Sequence, residues 1–277
     1  MRRKHWLIGS IALGMTFLPS FIQVHAEQSH SHSHADTHIT TIDKFGQKVQ
    51  IGDALPKAKT IGKEKFDQPA KIESNSTAVI LNEKKQVVGQ KQIKKNTASN
   101  KVTAAATRTV TVLVTADEEY RAAHPDWQTL TANIVENADN GFQRDHAIDF
   151  QVQAYGNWTS SGSNSSAILS DLDRDWNTGQ YDFLVGFTKD ANFDAGGIAY
   201  VYSSAPAGSA VSVNLDQGAT ATWHAAQHEF SHNFANSHDP QGSGIQCIMN
   251  YDYSYSVDFW DQAHDDQIEL NEGWYGF

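Results

Sequence analysis

The stretch from residue 228 to 238 constrains the fold more than any other part of the chain. His228 and His232 are four residues apart, so on a helix both rings lie on nearly the same face. His238 comes six residues later and would rotate off that face if the helix continued. It can join the other two only if the helix ends near residue 235 and the chain turns back. The spacing therefore predicts a helix, a bend and one shared metal site.

Glu229 completes an H-E-x-x-H pattern with the first two histidines, which is typical of hydrolytic zinc sites. Three protein nitrogens leave the fourth zinc position to water, and the metal lowers the pKa of that water toward neutrality. Glu229 is adjacent to His228 and cannot point the same way, so we expect a general base rather than a ligand. The alternative is a chance match on an ordinary helix surface, in a chain with 13 histidines.

The same stretch, followed by Met249 in the sequence Cys247-Ile248-Met249-Asn250-Tyr251, resembles the metzincin clan of zinc endopeptidases, with adamalysin-, snapalysin- and astacin-like members. The resemblance implies that Glu229 is the general base and that Met249 forms the Met-turn. It also implies three zinc ligands: His228, His232 and His238. Ala235 stands where the family has glycine. Alanine with positive φ costs about 1 kcal/mol, so we expect a slightly altered turn and a retained site.

Four further positions match the clan less specifically. Tyr251 lies at the offset where astacins and serralysins place a tyrosine that approaches the metal and stabilises the oxyanion; simple packing is the alternative. Gly197 and Ala199 lie in a stretch that resembles the clan's substrate-binding edge strand, although a glycine-rich turn into an ordinary strand would look similar. Asp239 follows the third histidine and could hold the turn, orient a ligand or lie at the surface.

The N-terminus predicts export. Residues 1–26 have a basic start, an apolar stretch and the small-residue exit Val24-His25-Ala26, so we expect a signal peptide cleaved after Ala26. An uncleaved membrane anchor is the alternative. The expected location is extracellular, with no membrane association after cleavage. The only cysteine is Cys247, so no disulfide can form within the chain, which favours a bacterial secreted enzyme.

Charge divides the rest of the chain. Residues 27–106 hold 13 basic and 8 acidic side chains, whereas residues 107–277 hold 5 basic and 24 acidic ones. We predict a basic pro-segment over 27–106 that docks on an acidic catalytic domain over 107–277 as an intramolecular inhibitor; a solvated linker is the alternative. Ile51-Gly52-Asp53 faintly resembles the aspartate switch of astacins, but the aromatic residue expected before it is missing. So acidic a domain argues against nucleic-acid binding.

Metal ions other than zinc have weaker support. The acidic clusters at 190–194 and 258–266 could hold Ca²⁺, but they lack the EF-hand spacing, and solvated loops are the alternative. The histidine tract at 30–38 could bind metal loosely or serve as a solubilising tail.

Alternating strand and helix patterns predict an α/β fold of the metzincin type. We expect a twisted, mostly parallel five-stranded sheet with an antiparallel edge strand, packed against three main helices. The expected strands are 109–115, 148–155, 181–187, 196–202 and 210–215, and the expected helices are 127–145, 165–176, 219–234 and, at the end of the chain, 257–270. Short apolar patches at 77–81 and 86–89 predict a hairpin in the N-terminal segment.

These features together predict a monomeric, secreted zinc endopeptidase that hydrolyses peptide bonds in protein or peptide substrates, with water activated by Zn²⁺ and Glu229. The alternatives are a non-catalytic secreted zinc-binding protein and a protease-like binding protein, neither of which would require an intact Glu229.

Overall fold

The computed structural model describes residues 39–72, 74–96 and 108–276. All of them belong to one compact unit, His32–Phe277. The predicted signal peptide, the histidine tract and the predicted boundary at residue 106 lie outside the described residues. Within the described ranges, the structure contains no helix that is both long and apolar enough to cross a membrane.

A single mixed sheet forms the centre of the molecule. Its strands are arranged in the order β1-β2-β8-β9-β7-β5-β6-β3-β4. They are β1 (Ile39–Ile42), β2 (Lys48–Ile51), β3 (Ser76–Leu81), β4 (Val87–Ile93), β5 (Arg108–Ala116), β6 (Ile148–Asn157), β7 (Phe183–Thr188), β8 (Gly197–Val201) and β9 (Ala210–Leu215).

The middle of the sheet is parallel and covered on both faces. β5 pairs in parallel with β6 and β7, and β7 pairs in parallel with β9. Strand β5 alternates β-branched and apolar residues, and most of it is buried. Strand β8 runs antiparallel to β9 and is the edge of this part of the sheet.

Five α-helices accompany the sheet: α1 (Glu118–Ala123), α2 (Trp127–His146), α3 (Ser165–Trp176), α4 (Ala219–Asn233) and α5 (Gln262–Asn271). Helices α2 and α4 pack on each other and on the sheet, and α3 packs on β7, β8 and β9. The crossover from β5 to β6 and the crossover from β6 to β7 run in opposite directions, so right-handed connections place α2 and α3 on opposite faces. Helix α4 packs against strands β8 and β9, at the edge of the parallel part of the sheet.

The N-terminal segment attaches to both edges of this sheet. Strand β2 pairs antiparallel with β8, and β3 pairs in parallel with β6 while forming a hairpin with β4. Ala78 and Ile93 are buried in the hairpin, and Val49 and Leu55 are buried in the part that reaches β8. The segment is therefore built into the sheet and extends it from five strands to nine.

The α/β class is confirmed, whereas the predicted sheet is too small and too parallel. The prediction of five strands omitted the N-terminal segment, whose four strands bring three of the four antiparallel pairings. The hairpin predicted at 77–81 and 86–89 is present as β3 and β4.

Helices α2 and α3 lie where the sequence predicts them, and α4 ends one residue earlier than expected. Helix α5 begins at Gln262 instead of residue 257, because the Asp261 side chain caps it by accepting from the backbone N–H of His264. Before that cap, the carbonyl of Phe259 accepts a hydrogen bond from Ile248 N, which keeps this part of the chain in a loop. Helix α1 was not predicted.

Candidate active site

Helix α4 and the loop after it bring the three predicted ligand histidines together. His228, His232 and His238 are all buried, and their ligand atoms form one compact group. The Nε2 atoms are 3.2 Å apart for His228 and His232, 3.1 Å for His228 and His238, and 2.9 Å for His232 and His238. The three imidazoles therefore converge on one point.

The bend that permits this convergence is centred on Ala235. Helix α4 ends at Asn233, and Ala235 has φ of +71°, in the left-handed region that favours glycine. The turn is closed by Ala235 N donating to His232 O at 2.9 Å and Asn236 N donating to Ser231 O at 3.3 Å. The backbone thus reverses at the position where the sequence predicts the strained turn.

Hydrogen bonds on the far side of each ring fix its tautomer. His228 Nδ1 lies 2.7 Å from Ile248 O, and His232 Nδ1 lies 2.8 Å from Asn236 O. A carbonyl oxygen only accepts, so each Nδ1 carries the proton and each Nε2 presents a lone pair. His238 Nδ1 lies 3.3 Å from Tyr251 Oη, which itself donates to Asp53 O at 3.1 Å, so this Nδ1 also donates.

Zn²⁺ fits this donor set. Three lone pairs about 3 Å apart cannot bond to one another, and a cation between them satisfies all three. Nitrogens bound tetrahedrally at about 2.0–2.1 Å from zinc are about 3.3 Å apart, close to the spacing found here. Burial, with the neighbouring His232, also lowers the pKa of His228 well below its usual range, which keeps the ring neutral for ligation.

Glu229 lies beside the triad in a dry position. It is fully buried, and neither carboxylate oxygen has a hydrogen-bond partner among the described residues. Burial raises the pKa of this carboxyl well above its usual range. The side chain packs against Gly197 of β8, where a Cβ atom would come within 2.5 Å of Glu229 Oε1. Glu229 is therefore held between α4 and strand β8 at the sheet edge.

The Met-turn segment supports the ligands from behind. Asn250 N donates to Cys247 O at 3.0 Å to form a tight turn, and Met249 is fully buried within it. The turn supplies Ile248 O to His228, and Met249 O accepts from Asp239 N at 3.1 Å. The Met-turn thus holds the first ligand ring and the chain just after the third.

The predicted edge strand β8 is already paired with a segment of the same chain, residues 52–55. Gly52 N donates to Ala199 O at 3.0 Å, Leu55 N donates to Gly197 O at 3.0 Å, and Gly196 N donates to Leu55 O at 2.7 Å. The N-terminal segment therefore lies along β8 as an added antiparallel strand, beside the metal ligands.

A second buried group was missed by sequence reasoning. Asp239, Cys247, Asp261 and His264 have ligand-type atoms within 4.8 Å of one another. Cys247 Sγ lies 3.4 Å from His264 Nδ1, and His264 Nε2 donates to Ser237 O at 3.0 Å. The group ties α5 to the loop that carries His238. Its members are scattered over 26 positions in three segments, so no spacing signal could have found them.

The acidic clusters proposed as calcium sites have structural roles. Asp194 accepts from Ser165 N at 3.0 Å and from Ser165 Oγ at 2.6 Å, and Arg144 Nη1 lies 3.1 Å from Asp258 Oδ2. Within the described ranges, the 190–194 cluster contributes to neither group that could hold a metal ion, and from the 258–266 cluster only Asp261 and His264 do. The structure gives no support for Ca²⁺ there.

Comparison with known proteins identifies the family. A sequence model described as Metallo-peptidase family M12 matches residues 106–260, more than half of the chain. The chain therefore belongs to metallopeptidase family M12. This assignment confirms the metzincin-type resemblance read from the motif, and it implies zinc.

Two other comparisons add little. The comparison with curated proteins gave no match. A solved structure titled "Structure of a chaperone-substrate complex" is similar, with 14% sequence identity and a TM-score of 0.48. The match covers 68% of this chain and 39% of the chain in that structure. The chain thus spans about two fifths of that structure's length.

Proposed function

We propose that the protein is a secreted zinc endopeptidase that hydrolyses peptide bonds in protein substrates. The observation that carries the proposal is the convergence of three buried Nε2 atoms next to Glu229, a buried carboxylate with no hydrogen-bond partner in the described part of the chain. Export is proposed from the signal-like sequence of residues 1–26 alone. We propose a monomer as well.

In the proposed mechanism each residue has one task. His228, His232 and His238 would hold Zn²⁺, which would supply a Lewis acid for the peptide carbonyl and acidify the attacking water. Glu229 accepts a proton from the attacking water and passes it to the leaving amine.

The edge strand and Tyr251 position the substrate. Gly197 and Ala199 offer backbone carbonyls to an extended peptide, as they do to Leu55 and Gly52. We assign Tyr251 to the substrate carbonyl, because its hydroxyl already donates to a peptide carbonyl, that of Asp53, at 3.1 Å.

The test of this function is a comparison of wild type with Glu229→Gln. We expect wild type to bind one zinc per chain and to cleave casein, with activity lost on chelation and restored by Zn²⁺. Glu229→Gln keeps the shape and the ligands, so it should bind the same zinc and lose turnover. Zinc binding without casein cleavage by wild type, once residues 27–106 are removed from the folded chain, would instead establish a binding protein.

We further propose that the N-terminal segment is a pro-segment that inhibits the enzyme by occupying the substrate strand. Its positive charge complements the acidic domain, and residues 48–55 fill the ladder positions that a substrate needs. Beyond the cleft, Gly62 N donates to Gln217 O at 2.6 Å, and Trp223 Nε1 donates to Asp67 Oδ1 at 3.0 Å. The segment therefore continues across the start of α4 after it leaves the cleft.

Gly62→Ala tests this inhibition. A Cβ at Gly62 would lie 2.7 Å from Ala221 N and 2.9 Å from Gln217 O, so the segment must lift away from α4. We expect the unprocessed variant to cleave a short peptide several-fold faster than unprocessed wild type. Gly89→Ala is the matched control, because its Cβ makes only an ordinary 3.5 Å contact with Ile80. Equal rates for the two variants would argue against inhibition by this segment.

A further inference from the structure

The N-terminal segment crosses the metal ligands with one extra residue in its ladder. Gly52 is held by Ala199, and Leu55 is held by Gly197, which lies only two positions away on β8. Three residue steps on one strand therefore oppose two on the other, as in a β-bulge. The residues between the two anchors are Asp53 and Ala54, so the bond joining them lies outside the regular pairing.

This bulge lies above the candidate catalytic groups. A Cβ at Gly52 would be 3.7 Å from His232 Cδ2, so the chain passes directly over a ligand ring. On the other side, Leu55 is fully buried and pairs with Gly197, against which Glu229 packs. The Asp53–Ala54 bond is therefore bracketed by His232 and Glu229.

The carbonyl of Asp53 is already held by a hydrogen-bond donor of the site. Tyr251 Oη donates to Asp53 O at 3.1 Å and lies 3.3 Å from His238 Nδ1. A hydroxyl aimed at a peptide oxygen stabilises the negative charge that develops there during hydrolysis. The carbonyl is therefore held as that of a scissile bond would be.

We propose that the Asp53–Ala54 peptide bond is the first substrate of this enzyme and is cleaved within its own chain. The inference rests on the proposed endopeptidase function. Water adds to the carbonyl carbon of Asp53, the bond from that carbon to the nitrogen of Ala54 breaks, and a proton from the water passes through Glu229 to that nitrogen. The products are a new carboxylate at Asp53 and a new amino terminus at Ala54, with no other reactant required.

A permanent plug is the competing arrangement, and the contacts favour cleavage. If the segment blocked the site permanently through a side-chain metal ligand, the Asp53 carboxylate would lie with the three histidines. The group of ligand atoms formed by the described residues comprises only the histidines at this site. Ala54 is exposed, so the residue that would become the new amino terminus lies at the surface. Anchors on both sides hold the bond at high effective concentration, which favours reaction within the chain.

The experiment uses the full secreted chain, purified without metal and then given Zn²⁺. We expect mass spectrometry and N-terminal sequencing to show a fragment ending at Asp53 and a partner beginning at Ala54. The reaction should be first order, with a half-time that does not change over a tenfold range of protein concentration. Glu229→Gln should remain uncut. Hydrogen exchange is the second readout: amides of residues 48–55 should be protected in Glu229→Gln and lose protection in wild type after zinc is added.

Ala54→Pro and Ala54→Ser form a matched pair. Proline adds a ring at the leaving nitrogen and also holds Asp53 in an extended conformation. Serine keeps the amide. We expect Ala54→Ser to be cut like wild type and Ala54→Pro to stay intact at this bond. Both should keep bound zinc and protection of residues 48–51 in the Glu229→Gln background.

The outcomes separate the inference from the function. Casein cleavage by a chain that is cut elsewhere, or that keeps residues 48–55 intact and protected with zinc bound, would overturn the inference and leave the endopeptidase standing. A cut at Asp53 that persists in Glu229→Gln would also overturn it, because another protease would then be responsible. Failure to cleave both casein and the Asp53–Ala54 bond would count against the endopeptidase itself.

Discussion

Gly197 is the position at which one added methyl group should uncouple metal binding from catalysis. A Cβ there would lie 2.5 Å from Glu229 Oε1, 2.8 Å from Cγ and 3.0 Å from Cδ. Ordinary contacts between such atoms are about 3.5 Å, so in Gly197→Ala the Glu229 side chain must move away by about 1 Å. The three atoms that lie nearest to this Cβ all belong to Glu229 and none to a histidine.

A displacement of about 1 Å in a catalytic group lowers the rate by about 100-fold, which corresponds to about 2.7 kcal/mol of transition-state stabilisation. We therefore expect Gly197→Ala to lose about 100-fold in kcat/KM for a peptide substrate. Zinc content should stay at the wild-type value, as measured by elemental analysis of the same samples. The assay uses processed enzyme, so that binding of the N-terminal segment to β8 does not affect the rate.

Gly273→Ala is the matched control, because a Cβ there meets nothing within 4 Å. It reports what the change from glycine to alanine does to the unfolded chain alone. Activity of Gly197→Ala within twofold of this control, with zinc retained, would show that the position of Glu229 does not limit turnover. Loss of zinc would show that the methyl group acts through the ligands instead.

Two further predictions concern the turn and the buried histidine. Ala235→Gly removes a left-handed alanine, which saves about 1 kcal/mol, and adds unfolded-chain entropy worth about 0.5–1 kcal/mol, so urea unfolding should show equal or slightly higher stability with zinc retained. Ala147→Gly is the matched control, because Ala147 has φ of +54° after α2 and lies far from the ligand histidines, and its stability should change by a similar amount. Loss of zinc in Ala235→Gly but not in the control would mean that glycine misplaces the turn. Burial lowers the pKa of His264, but hydrogen bonds to Asp261 and Cys247 outweigh it and raise the pKa to about 10. The protonated ring therefore stabilises the fold fully below pH 6.5, and this stability is lost as the pH rises toward 10. The free energy of unfolding, measured from pH 6 to 10, should fall more steeply for wild type than for His264→Gln, and parallel curves would refute the assignment.

The convergence of the three histidines could be predicted because its geometry is encoded locally. His228 and His232 share a helix face, and the position of His238 then required a reversal near residue 235, which the positive φ of Ala235 provides. The attachment of the N-terminal segment could not be read in this way. Strand β1 has no buried residue and β2 buries only alternate ones, so neither has a strong pattern of its own. Strand β2 forms because β8 offers it an unpaired edge, and β1 then pairs with β2.

The group around His264 could not be predicted either, because it also depends on tertiary structure, and the start of α5 was predicted too early. Cys247 and Asp239 come from loops whose positions depend on the metal-site turn, so their meeting with His264 is a tertiary result. Apolar residues before Gln262, such as Val257 and Trp260, suggested an earlier helix start, but the capping carboxylate of Asp261 fixes the actual one. Local capping chemistry is thus more decisive for that boundary than the apolar pattern.

The unequal attachment of the N-terminal segment gives the proposed cleavage a consequence. Strand β2 meets β8 through only two paired residues, whereas β3 pairs with β6 through three and with β4 through six. A cut after Asp53 leaves the part that contains β1 and β2 held by that short ladder and by hydrogen bonds of Lys44 and Gln47 to the rest of the chain, with no covalent link to the hairpin, and we expect this part to leave the cleft first. The hairpin has its own buried residues, Ala78 and Ile93, and its own sheet edge. We therefore expect the cleft to open while β3 and β4 still cover β6, because the two edges of the sheet are blocked with different strengths.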